Sequence, residues 1–399
     1  MGFWGTPKIN TDRAAVDELL TRAVASVIPK ELAIKKLTSG ERLRVYLGID
    51  PTGAKLHLGH SVPLRKLKAF SDLGHEVIFL VGSFTAMIGD PSGRDAMREP
   101  LTREKIRENF KDYKRQASKI LDFSKITVRY NHEWLEKLGF EDIVKLAGNF
   151  TVQQMLKRDM FHKRIEEGNP IGLHEFLYPL MVGYDSVVLD VDAELGGSDQ
   201  EFNILAGRHL QQAMGKRDKF VLTTRLIEGS DGRKMSKTYG NCVYFDDEPS
   251  EMFGKVMSIK DELMKLYFET LTDVPMQEVE AITSHHPKDA KFSLAKDLVT
   301  IYHGRKAAMK AAEDWINTFS KGEVPMKVMI IEKLPEETFM ASAVSSGIVK
   351  SNTEFRHLIV SGAVSSVLSG EKILDPNYKG QDKEVIRIGK HRFAKIKEK

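Results

Sequence analysis

The stretch LRVYLGIDPTGAKLHLGH, residues 43 to 60, begins as an apolar run and ends on two histidines three residues apart. Leu43 to Ile49 has the length and the β-branched and aromatic content of a buried parallel strand, and a helix is predicted to resume from about His60. A helix that starts beyond a strand offers free N–H groups and a positive dipole end to a phosphate. Asp50, Thr52 and Gly53 predict a tight polar turn in between. Working outward, Val77 to Val81 reads as a second strand. It runs into the glycine-rich loop SFTAMIGDPSGR and a charged helix from about Thr102 to Leu121. Val187 to Val191 reads as a third strand, before GGSDQ and a helix from about Glu201. The first forty residues are predicted to be helical. This rhythm predicts an α/β, Rossmann-like, doubly wound parallel sheet, with ligands beyond the carboxyl ends of its strands.

A chain of 399 residues predicts two or three domains. The pattern turns helical from about Pro249 to about Lys321. KGEVPMKV reads as a linker, and FMASAVSSGIVKSNTEFRHLIVSGAV reads as two helices broken at Gly347 and Gly362. The boundaries predicted are 1–245 for an α/β domain with an insertion, 246–325 for an all-α domain, and 338–399 for a small α+β module. Residues 339 to 399 hold 11 Lys or Arg against 6 Asp or Glu, although the whole chain carries only +4. A basic block on a nearly neutral body suggests a polyanion-binding element, the plainer alternative being a solvated tail. Cys242 is the single cysteine, so no intramolecular disulfide can form, and no Cys/His set has zinc spacing. With no secretory h-region and no run of about 18 apolar residues, the sequence predicts a soluble, cytoplasmic protein without a membrane span.

Two motifs carry chemistry. His57-Leu58-Gly59-His60 could meet the charge that builds on oxygens around an attacked phosphorus. On their own, these four residues fit equally well two histidines facing a polar groove or holding a metal. Far downstream, GSDGRKMSKT, residues 229 to 238, sets Lys234 and Lys237 three apart on a glycine-rich loop suited to a polyphosphate. A basic surface loop is the alternative when that motif stands alone.

Together, HLGH and KMSKT resemble the two signature sequences of class I aminoacyl-tRNA synthetases. VYLGIDPTG, MIGDPSGR, LYPLMVGYDS and GGSDQ resemble the bacterial-type tyrosyl branch over essentially the whole chain. The resemblance implies that Tyr46 and Asp185 bond the substrate phenol, that Asp90 and Tyr178 hold its ammonium group, and that Gln200 lies near its carboxylate. It implies adenylate or phosphate contacts at Gly48, Asp50, Thr52, Gly59, Gly197, Asp199 and Lys237, and backbone contacts to adenine at Leu226 and Ile227. His57, His60, Thr52, Lys234 and Lys237 take the catalytic roles. Two buried groups aimed at a phenol are left unpaired by phenylalanine; tyrosyl enzymes are themselves the standard example of that discrimination. The sequence departs from the family at Val182, where a glutamine amide usually helps hold the ammonium, and at Arg94, where one branch has lysine.

The basic terminal block resembles the RNA-binding module named after ribosomal protein S-four, with Lys350, Arg356 and His357 on or beside one helix. The resemblance implies a tyrosine–tRNA ligase that uses ATP with Mg2+, needs no tightly bound metal or prosthetic group, has tRNA(Tyr) and tyrosine as partners, and forms a homodimer. It also implies that the all-α segment meets the anticodon region. Two rival readings are a tryptophanyl-type ligase, which Tyr46, Asp185 and the terminal module disfavour, and a catalytically idle RNA-binding scaffold, which two intact signature motifs disfavour.

Overall fold

A computed structural model describes residues 8–92, 101–320, 328–367, 369–389 and 392–398. Arg94, most of the linker, and Lys390, His391 and Lys399 lie outside the described residues. The chain divides into two compact units, residues 1–247 with 259–294, and residues 248–258 with 295–399.

The first unit is built on a six-stranded sheet. Its strands are β1 (Val24–Ile28), β2 (Arg44–Ile49), β3 (Glu76–Val81), β4 (Thr127–Tyr130), β5 (Ala193–Gly197) and β6 (Phe220–Thr224), in the spatial order β1-β6-β5-β2-β3-β4. Pairing is parallel from β6 through β4, whereas β1 runs antiparallel along β6, with Ile28 opposite Val221. The sheet is therefore mixed rather than wholly parallel. Val24–Ile28 corrects the reading of the first forty residues as all helix. Its burial is only partial because it forms the sheet edge, so it lacks the uninterrupted apolar run of an inner strand. In β3, five of six residues are buried, as strands covered on both faces require.

A second correction concerns Val187 to Val191. Residues Leu173–Leu189 form one helix that ends at Asp190 in a left-handed conformation, and the strand begins at Ala193. Val187 and Leu189 belong to the buried face of that helix, and an apolar run this short does not separate helix from strand by period alone.

Strand order places the site. From β2 the chain winds outward through β3 to β4, then returns to the opposite side of β2 as β5 and β6. The reversal leaves the carboxyl ends of β2 and β5 side by side, the crevice where doubly wound sheets take their ligands. The Leu58–Asp72 helix follows β2, and the Glu201–Ala213 helix follows β5.

In the second unit, the Pro249–Met257 helix packs on the Arg305–Ser320 helix, with the rings of Phe253 and Trp315 5.9 Å apart. Beyond them lies a four-stranded sheet in the order β7-β10-β9-β8, comprising β7 (Met329–Lys333), β8 (Val364–Ser366), β9 (Val385–Ile388) and β10 (Arg392–Glu398). Two helices, Phe339–Ser345 and Asn352–Val360, cover it and share a core of Phe339, Phe355, Ile386, Ile388 and Ile396. No helix among the described residues is long and apolar enough to cross a membrane.

Candidate active site

One cavity of about 340 Å3 opens at the β2/β5 crevice. Tyr46, Gly48, Asp50, Thr52, His60, Asp90, Tyr178, Val182, Asp185, Gly197, Asp199 and Gln200 all line it, so twelve positions singled out in sequence converge. His57, Gly59, Lys234 and Lys237 gather at its rim.

At the inner end, the Tyr46 hydroxyl lies 2.9 Å from Ser186 Oγ. Asp185, on the Leu173–Leu189 helix, accepts from Trp134 Nε1 at 2.7 Å and from Asn131 Nδ2 at 3.1 Å. Burial pushes the Asp185 carboxyl well above the ordinary carboxylate range, and it pushes the Tyr46 phenol up as well. Each oxygen of Asp185 takes one of these donors and keeps a lone pair for a further one.

Nearer the opening, Asp50 is held from two sides. Thr85 Oγ1 donates to it at 2.7 Å and Tyr178 Oη at 3.0 Å. Gly82 is required there, because a Cβ at that position would stand 1.8 Å from Asp50 Oδ1. Gln200 Nε2 donates to Asp90 Oδ2 at 2.7 Å, and Asn203 donates to Gln200 Oε1 at 2.9 Å. Val182 follows Tyr178 by one helical turn and brings an apolar surface to this polar wall.

The two histidines cap the Leu58–Asp72 helix. His57 Nδ1 accepts from the Gly59 N–H and His60 Nδ1 from the His57 N–H, each at 3.2 Å, with ring centroids 3.9 Å apart. An Nδ1 that accepts leaves the proton on Nε2. Both rings therefore present an Nε2–H donor. Burial, then the neighbouring imidazole and Lys237, lowers His57 to about 2; burial and then Lys237 lower His60 to about 4. The pair acts as neutral donors.

The lysine loop reaches the same place. Lys234 Nζ bonds Asp199 Oδ2 at 2.9 Å, and Lys237 Nζ hangs over Gly53, where a Cβ would meet it at 2.6 Å. Gly232, at φ +80°, serves the turn before Lys234. Leu226 and Ile227 precede the loop and do not line the cavity. Lys350, Arg356 and His357 belong to the second unit, all exposed, on and just before the Asn352–Val360 helix.

Sequence reading missed Asn131, Trp134, Thr85, Tyr113, Ser186, Glu194 and Lys219. A signal existed for Glu194, a carboxylate inside the otherwise apolar strand AELGG; the others sit in elements whose spatial neighbours only the fold supplies.

The family model of the class I tRNA synthetases of the W and Y type matches residues 38–320, the span that holds the cavity and both signature motifs. A tyrosine–tRNA ligase of Carboxydothermus hydrogenoformans is 44% identical over 95% of this chain and 97% of its own. The chain belongs to the bacterial-type tyrosyl branch of the class I tRNA synthetases. A second relative of this synthetase, a tyrosine–tRNA ligase of Oleidesulfovibrio alaskensis, is 46% identical over 94% of this chain and 97% of its own. Among solved structures, a C-terminally truncated mitochondrial tyrosyl-tRNA synthetase of Coccidioides posadasii aligns with a TM-score of 0.62 and 26% identity. It covers 76% of this chain and 92% of its own.

Proposed function

We propose that this synthetase activates tyrosine with ATP and transfers it to the 3′ end of tRNA(Tyr). The observation that carries the reading is the single cavity running from Tyr46 and Asp185 at its closed end to His60 and Asp199 at its mouth. An aromatic amino acid fits with its ring inward and its carboxylate toward the histidines. Asp185 and Tyr46 meet the phenol, Asp90 and Tyr178 the ammonium group, and Gln200 the side near the carboxylate. Gly48, Asp50, Thr52, Gly59, Gly197 and Asp199 receive the nucleotide.

In the first step a carboxylate oxygen of tyrosine attacks the α-phosphorus of ATP. A C–O–P linkage forms, the α,β P–O bond breaks and pyrophosphate leaves. Charge builds on the phosphate oxygens as it does so, and the Nε2–H donors of His57 and His60, with the ammonium groups of Lys234 and Lys237, meet it. Mg2+ arrives with ATP as part of the substrate. In the second step a terminal ribose hydroxyl of the tRNA attacks the tyrosyl carbonyl and AMP departs.

The further parts of the reading concern the whole chain. Residues 246–325 serve as a helical domain toward the anticodon region, and residues 338–399 as a ribosomal-protein-S-four-like RNA-binding module. There Arg356 and His357 lie exposed on one helix, with Lys350 beside it. The protein works in the cytoplasm as a homodimer. Exposed apolar residues between β4 and β5, Phe140 at 83%, Leu173 at 79% and Val144 at 55%, supply a surface of the kind subunits bury.

Isotope exchange between pyrophosphate and ATP, run with each amino acid in turn, tests the reading. Tyrosine supports exchange while tryptophan and phenylalanine do not. Stimulation by tryptophan would favour the tryptophanyl alternative, and no exchange with any amino acid would favour an idle scaffold.

A further inference from the structure

Strand β5 and the residue just before β6 bring a buried ion pair against the inner end of the cavity. Lys219 and Glu194, 0% and 2% exposed at their side chains, are in direct contact. The Lys219 ammonium also donates to Ser186 Oγ at 2.7 Å and to the Ile204 carbonyl at 3.2 Å. Three acceptors around one nitrogen match the three protons of a charged lysine, which fixes the pair as ionic. Ser186 Oγ donates its only proton to Glu194 Oε2 at 2.9 Å.

These bonds settle the direction of the next one. With its proton spent on Glu194, Ser186 can meet the Tyr46 hydroxyl only as an acceptor, so the 2.9 Å contact uses the Tyr46 proton. Ser186 therefore draws the phenolic proton away from the bound ligand. Gly207 closes the network from the Glu201–Ala213 helix: a Cβ there would stand 2.4 Å from Ser186 Oγ and 2.6 Å from Lys219 Nζ.

We propose that Lys219 and Glu194, acting through Ser186, hold the Tyr46 hydroxyl as a hydrogen-bond acceptor, so that the site selects amino acids whose ring substituent donates. This rests on the reading that the substrate ring enters beside Tyr46 and Asp185. Lys219 is then a positioning residue: it touches no substrate and sets the polarity of a group that does. Tyr46, Asp185 and Glu194 all line the inner cavity, and all offer lone pairs. A phenol meets them with one O–H, and a ring amine meets them with two N–H groups. A fluorine offers no proton and leaves buried acceptors unpaired.

Exchange kinetics with tyrosine, 4-aminophenylalanine and 4-fluorophenylalanine test the proposal. The wild-type enzyme uses 4-aminophenylalanine within about tenfold of tyrosine, and at least about a hundredfold better than the fluoro compound, as unpaired buried acceptors imply. In the Lys219→Met, Glu194→Gln double variant no unpaired charge remains, and the new amide can donate toward Ser186 and Tyr46. The freed Tyr46 proton then faces the ligand. A phenol oxygen accepts it well and an aniline nitrogen poorly, so the kcat/KM ratio of 4-aminophenylalanine to tyrosine falls by about tenfold, a difference of one ordinary hydrogen bond. General damage to folding cancels in that ratio. An unchanged ratio in the folded variant overturns the proposal, and so does a wild-type enzyme that uses the amino and fluoro compounds equally, a result that needs no variant. Absence of any tyrosine-dependent exchange in the wild type would instead remove the functional reading, and the proposal with it.

Discussion

His57 and His60 show how far a cap can determine chemistry. Backbone N–H groups occupy both Nδ1 atoms, and burial keeps both rings neutral, so in the proposed reaction they would meet a phosphate with N–H donors of fixed direction. The folded protein holds the two rings at about 2 and about 4, against 6.5 for an unperturbed imidazole. Between those values the unfolded chain binds protons that the folded protein refuses. Their contribution to stability is therefore complete above pH 6.5 and is lost as pH falls from 6.5, toward 4 for His60 and toward 2 for His57. Urea unfolding across that window shows the slope, and the His57→Asn, His60→Asn double variant flattens it; an equal slope in the variant contradicts the assignment. In the proposed reaction, Lys234 and Lys237 act where charge develops. Replacing either by Ala lowers the rate of adenylate formation by about 10²–10³, as removal of one oxyanion donor does, with tyrosine affinity little changed. A mutant that only raises the ATP requirement in pre-steady-state measurements would assign the loop to ground-state binding. Val182 offers a gain. Val182→Gln brings an amide to the wall carrying Asp90 and Tyr178, and a hydrogen bond to a charged ammonium contributes about 1.5–3 kcal/mol. Equilibrium binding then shows tyrosine held at least about tenfold tighter; unchanged affinity would mean that the wall is packed around valine.

Among the elements, the Leu173–Leu189 helix matters most, because it carries Tyr178, Val182, Asp185 and Ser186. Its first turn is clamped by Glu175, which accepts from Arg164 Nη1 at 2.6 Å and Nη2 at 2.9 Å while taking the Gly172 N–H at 2.8 Å. The Arg164 and Glu175 side chains are 1% and 5% exposed. Arg164→Met leaves a buried carboxylate without its partner, and denaturant unfolding registers a loss of about 3–5 kcal/mol. A loss below about 1 kcal/mol would show that water or another group relieves Glu175. This helix also marks the limit of what the sequence could show. HLGH and GGSDQ stand where the sequence predicts that strands give way to helices, so their meeting at one crevice was legible from the strand-loop-helix rhythm. KMSKT instead follows β6, a strand that sequence reading did not place, and is joined to HLGH only by the resemblance. The span Val187 to Val191 was not legible, since a buried helical face and a buried strand read alike over five residues. Nor was the relay of Ser186, Glu194 and Lys219, because its members come from three elements and no local spacing links them.

At the scale of the whole molecule, the proposed kinds of chemistry fall in separate units. Tyr46, Asp185 and both signature motifs lie in the first, while the exposed cations Lys350 and Arg356 lie in the second. Reversing both charges, Lys350→Glu with Arg356→Glu, leaves pyrophosphate exchange intact, weakens tRNA binding and reduces the salt dependence that remains, since phosphate contacts release counterions. A parallel loss of exchange would contradict that division. The account as a whole turns on one product. Charging unfractionated bacterial tRNA with each of the twenty amino acids, and sequencing what is charged, tests it most directly. The predicted result is tyrosine alone, esterified to tRNA bearing a tyrosine anticodon. Another amino acid on the tRNA, or tyrosyl-adenylate formed with no tRNA ever charged, would contradict it.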